Sequence, residues 1–110
     1  MKLPGCDRAI VDIAKVRDYC LNPTHPRGRH KARVFASALG MMAMDAEFLR
    51  EALLRAAREE DAIPGEADEY GERYAVDFNL IRGDRQAVIR SAWIIRVREQ
   101  VPRLTSCFVL

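Results

Sequence analysis

Histidine occurs twice in this chain and tryptophan once, and the three cysteines (Cys6, Cys20, Cys107) are far apart with no CxxC pair. An odd count without zinc spacing argues against a disulfide framework or a structural metal, and predicts buried free thiols. No apolar run approaches the roughly 20 residues of a membrane span. The start, "MKLPGCDRAIVD", meets Pro4 and Asp7 and lacks the apolar stretch of a secretory signal. The expectation is therefore a cytoplasmic protein with no membrane partner. Repeats and low-complexity linkers are also missing. So are an activated-serine GxSxG motif and, for the cysteines, any setting that would favour a thiolate. No cofactor is called for.

What is present is enough apolar residue, 49% against 31% charged, for one modest core in a single domain spanning residues 1–110. The net charge of +2 hides segregation. Residues 27–33 hold Arg27, Arg29, Lys31 and Arg33 without an acid. Residues 59–72 hold seven acids and no cation. Residues 85–103 hold five arginines against Glu99. Separation of this kind creates local fields.

The first half has helical spacing. Asp12 is placed to cap "DIAKVRDYCL", and the pair Asn22-Pro23 stops it. "AIV" at 9–11 reads as a short edge strand. In "RHKARVFASALG", Ala32, Phe35, Ala36 and Leu39 form one stripe, and Gly40 ends the helix. Over 45–61, Asp45 is the cap, Phe48, Leu49, Ala52, Leu53 and Ala56 the buried face, and Glu51–Arg55 an i,i+4 pair. The period then changes. Tyr74, Val76, Phe78 and Leu80 alternate with polar or small residues, "RGDR" is a turn, and "QAVIRSAWIIRV" and "RLTSCFVL" are further strands, with a short one before them in "PGEADEYG". The predicted fold is α+β: two to three N-terminal helices packed on a three- to four-stranded antiparallel meander, one sheet face left open.

The stretch Leu21-Asn22-Pro23, His25-Pro26, Gly28, Lys31-Ala32, Phe35, with Tyr70-Gly71, Trp93 and the closing Pro102-Arg103-Leu104-Thr105, resembles a family of small bacterial proteins catalogued as a domain of unknown function. The likeness covers nearly the whole chain and implies no established activity. The chain departs from the family pattern at its end, where members often carry Tyr-Pro and this sequence has Phe108-Val109-Leu110. The layout of helices followed by an antiparallel sheet is also similar to the metal-independent ribonuclease toxins of the barnase, EndoU, colicin and RelE-like group. That likeness implies an RNA substrate and a small protein partner. It is architectural, and fold does not fix function.

Metal-free RNA cleavage needs a base, an acid, and cations around the phosphorane-like transition state. The candidates for catalysis are His25, Lys31, Arg90, Arg103 and Thr105, and those for nucleic-acid binding are Arg27, Arg29, His30, Arg33 and Trp93, with Tyr70 a further stacking residue. The ribonuclease reading requires these groups to converge. Each also has a plainer role: His25 as a turn residue bonded to local backbone, Lys31 with its stem along the core edge, Arg90 paired with Asp77, Trp93 in the core. "PRGRHKAR" is not a Walker loop, because its glycine spacing is wrong. The alternative to an enzyme is a non-catalytic protein- or nucleic-acid-binding module, one member of a two-protein system or a homodimer, using the acidic and basic segments or an open strand edge.

Overall fold

In a computed structural model describing residues 1–110, the chain lays its helices down first and its sheet last. Helix α1 (Ile13–Lys15) begins where the Asp12 carboxylate accepts the Ala14 N–H at 2.9 Å, and it runs into a π-helical turn, Val16–Cys20. Helix α2 (Arg29–Leu39) buries Ala32, Phe35 and Leu39, and Gly40 closes it in the left-handed region at φ 64°. Helix α3 (Ala46–Glu59) buries Ala46, Leu49, Ala52, Leu53, Ala56 and Ala57. Three details differ from the sequence expectation. Asp45 precedes α3 but its side chain does not cap it; the carboxylate accepts the Met42 N–H and an Arg82 N–H instead. Phe48 is 45% exposed, because the buried stripe of α3 turns toward its alanines and leaves this ring at the margin, under the Arg82 guanidinium at 5.7 Å. Glu51 lies 3.5 Å from Arg50 rather than in a pair with Arg55. None of the helices is long and apolar enough to cross a membrane.

Strands β1 (Ala62–Asp68), β2 (Gly71–Arg82), β3 (Arg85–Arg96) and β4 (Arg103–Val109) follow as an antiparallel sheet in the order β1-β2-β3-β4. The expected "AIV" edge strand is a single parallel bridge, Ile10 to Arg103, in which the Ile10 N–H donates to the Pro102 carbonyl and the Leu104 N–H to the Ile10 carbonyl. One sheet face packs on the helices and supplies Val76, Phe78, Leu80, Ile89, Trp93, Leu104 and Cys107 to the core. Ser91 is the buried polar residue of that core. Its hydroxyl donates to the Val76 carbonyl at 2.7 Å and accepts the Trp93 indole N–H at 2.9 Å, so both side chains are satisfied out of water. Cys20 and Cys107 are buried free thiols in contact, and that contact together with burial pushes the Cys107 thiol well above its ordinary range, which leaves it unreactive. The opposite sheet face carries no helix.

Candidate functional site: the open face of the sheet

The cross-strand register sets what stands on this uncovered face. Asp77 of β2 is opposite Arg90 of β3, and Arg90 is opposite Phe108 of β4. Directly paired residues point to the same side, so these three form a row across the sheet. Lys31 of α2 completes it from the sheet edge, its ammonium 4.9 Å from the centre of the Phe108 ring. That separation is a cation–π contact and holds a flexible side chain in line with the row. Arg90 is not a bare cation: its guanidinium makes two parallel bonds to Asp77, both 2.8 Å. That fork holds the Asp77 carboxyl below the usual carboxylate range and raises Arg90 in turn.

Farther along the strands, Arg103 is opposite Ile94, four positions from Arg90 on β3, or roughly 13 Å at ~3.3 Å per residue. Arg103 bonds the Glu99 carboxylate at 2.9 Å, and Arg96 lies 3.7 Å from the same group. Between the two basic rows the floor is made of small side chains, Ala75, Ala92 and Ser106. A β-bulge at Thr105 shifts the register, since Ala92 pairs with Ser106 while Trp93 pairs with Leu104. The extra residue turns its hydroxyl to the Ala92 carbonyl at 3.1 Å. The Ser106 hydroxyl is buried without a hydrogen-bond partner.

The other sequence candidates lie elsewhere. His25 is built into its own loop: its Nδ1 accepts the Arg27 and Gly28 N–H groups at 3.0 and 3.1 Å, and its ring meets Tyr19 edge-on with centroids 4.8 Å apart. Those bonds use Nδ1 as an acceptor and hold the ring in the loop. Asn22 secures the same loop by accepting from the Thr24 N–H and hydroxyl and donating to the Asp18 carbonyl. Gly28 is required there, because a Cβ would stand 2.5 Å from the Tyr19 carbonyl oxygen. Arg29 bonds the Pro26 carbonyl at 3.0 Å, while Arg27, His30 and Arg33 are exposed around the start of α2. Trp93 is 1% exposed beneath the helices and offers no face to a base, which corrects the expectation of a stacking role; its alternation with Ser91 and Ile89 puts it on the core side. Tyr70 is exposed in the turn between β1 and β2.

Phe108 is the residue of the site that the sequence reading passes over. Strict alternation from Leu104 would turn Ser106 and Phe108 inward, and only the bulge at Thr105 reverses this. No feature of "RLTSCFVL" marks a bulge, so Phe108 is visible only through the register.

A search of curated proteins finds no match to the chain. Among solved structures, a chain of a contact-dependent growth inhibition toxin–immunity protein complex from Klebsiella pneumoniae 342 is similar with a TM-score of 0.71 and 15% sequence identity, covering 92% of this chain and 99% of that one. At that identity the likeness is one of fold. Residues 2–110 match the family model described as "Domain of unknown function (DUF6883)", and the chain therefore belongs to that family.

Proposed function

We propose that the open sheet face binds an RNA phosphodiester and that the protein is a toxin-type, metal-independent ribonuclease of a two-protein system. The observation that carries this reading is the row Lys31–Phe108–Arg90, in which a helix and two strands bring two cations to one uncovered face, with Arg103 on the same face beyond. The fold shared with a chain of a toxin–immunity complex supports a place in such a system. In the reaction, the RNA 2′-hydroxyl gives its proton to water as it attacks the adjacent phosphorus, and the P–O5′ bond breaks with the 5′-oxygen taking a proton from water, giving a 2′,3′-cyclic phosphate and a 5′-hydroxyl. This chain contributes charge: Lys31 and Arg90 hold the non-bridging oxygens where negative charge grows, and Arg103 takes a neighbouring phosphate. The bidentate bond to Asp77 orients Arg90 until substrate arrives.

The test is cleavage of purified RNA in the presence of a metal chelator, together with inducible expression in a bacterial host. Cyclic-phosphate ends, growth arrest and RNA loss are expected. Lys31→Ala and Arg90→Ala should each reduce turnover about 100-fold, the usual effect of removing one transition-state donor. An intact RNA pool and harmless expression would sink the enzyme. A second reading, a non-catalytic binding module, is favoured by the pairing of Arg90 and Arg103 with internal carboxylates. It predicts that the same substitutions leave RNA untouched and alter capture of one defined protein partner.

A further inference from the structure

We propose that a groove between α2 and the loop around Asn22 receives an acidic segment of a partner protein, which inserts an apolar side chain there. The groove has a volume of about 350 Å³. Its floor is made by Leu21 and Ala32, both buried, and Pro23, Ala36 and Met42 stand around them. It exists because Ala32 and Ala36, one helical turn apart, present methyl groups where larger side chains would fill the space. Met42 is 48% exposed and the neighbouring Met44 88%. Apolar surface left in water beside a concavity marks a contact site, and thioether side chains adapt to what they meet.

Charge names the chemistry of the occupant. Arg33 borders the groove, and Arg29 stands one turn before it on the same helix face. Arg27, Arg29 and Arg33 are all exposed, and none is in an ion pair within the chain. The arginines of the sheet differ: Arg73, Arg82, Arg90, Arg96 and Arg103 each face a carboxylate of their own chain. The molecule's other three grooves mix both signs of charge, whereas this one holds Arg33 and no acid. Unpaired guanidinium groups at the rim of an apolar groove are complementary to carboxylates set around an apolar side chain.

Nucleic acid is also negative, but its bases stack on aromatic faces, and no aromatic side chain lines this groove. An aliphatic lining with cations at its rim favours protein. The groove is also separate from the sheet face assigned to RNA. Lys31 lies two residues from both Arg29 and Arg33, so it leaves α2 on the other flank, where it meets the Phe108 ring. Each surface can therefore be altered without the other.

Fluorescence anisotropy of the whole chain with labelled helical peptides tests this. One peptide presents leucines four residues apart among glutamates; a second has serine for each leucine, and a third lysine for each glutamate. The first should bind, and should shift the backbone amide resonances of Ala32, Ala36 and Met42 while leaving those of Arg90 and Phe108 in place. The other two should bind about tenfold more weakly or worse. Arg33→Glu should cost about tenfold, and so should Ala36→Met, which fills the groove; circular dichroism and the emission of the buried Trp93 confirm that both variants are folded. Lys31→Ala should bind the peptide as wild type does, whether or not the protein cleaves RNA. A first peptide that fails to bind overturns the proposal, and so does equal binding of the serine peptide, since charge alone would then hold it. A single-stranded RNA that displaces the peptide and is lost in Arg33→Glu gives the groove to nucleic acid, and self-association abolished by Ala36→Met gives it to a second copy; either result also overturns it.

Discussion

At the scale of single residues, the plain role of His25 accounts for both N–H bonds that its Nδ1 accepts. The ring does for the first turn before α2 what a capping side chain does for a helix start. His25→Ala should therefore cost about 1–2 kcal/mol in thermal or urea unfolding. RNA turnover per folded molecule should stay near wild type, and a turnover loss without a stability loss would return this histidine to the reaction. Ser91 and Trp93 make a second residue-level case. Ser91→Ala strands a buried indole N–H and should cost about 1–3 kcal/mol. Ser91→Ala with Trp93→Phe removes both polar groups, so the two losses should fall short of additive in a double-mutant cycle followed by chemical denaturation. Full additivity would deny the bond any coupling.

Elements were legible where a single face is buried. Ala32, Phe35 and Leu39 mark α2 by spacing alone, and Val76, Phe78 and Leu80 mark β2, because burial on one side writes a period into the sequence. Strand β1 writes none: only Ala62 is buried, so just its glycine, proline and flanking turn give it away. The site was legible in its cations and not in its geometry. Lys31, Arg90 and Arg103 could be named from residue type, but their common face depends on the bulge at Thr105, which is a backbone event with no side-chain signature. The link between Asp45 and Arg82 is likewise tertiary. Arg82 also reaches the Gly40 carbonyl at 3.1 Å, so it joins the start of α3, the end of α2 and the sheet. Arg82→Ala should lower unfolding stability by about 1 kcal/mol, as expected for one partly exposed pair; a variant as stable as wild type would show that apolar packing alone holds α3 on β2.

For the molecule as a whole, the carboxylates of Asp45, Asp68 and Asp77 all lie below their ordinary range. The main causes are the Met42 N–H for Asp45, Arg73 for Asp68 and Arg90 for Asp77. Depressed values in the folded state mean that their stabilisation is complete above the ordinary carboxylate range, and is lost as pH falls through the depressed values. The melting temperature should be nearly flat from pH 7 to about pH 5 and fall below about pH 4. Asp77→Asn should flatten part of that fall, and an unchanged acid slope would remove Asp77 from the account.

The placement of β4 has a consequence for synthesis on the ribosome. Leu104 and Cys107 fill the middle of the core, and the bonds that fix Ile10 run to Pro102 and Leu104. Met1 and Lys2 meet Asp61 and Ala62 earlier, but Ile10 waits for residues beyond 100 before its backbone has partners. At roughly 5–20 residues per second this is a delay of several seconds. The helices emerge meanwhile with their apolar stripes unmatched. Closure is a late and nearly single event, and a chain halted before β4 has left the ribosome carries Arg90 but neither Arg103 nor Phe108. The candidate RNA site is therefore assembled only when the domain is complete.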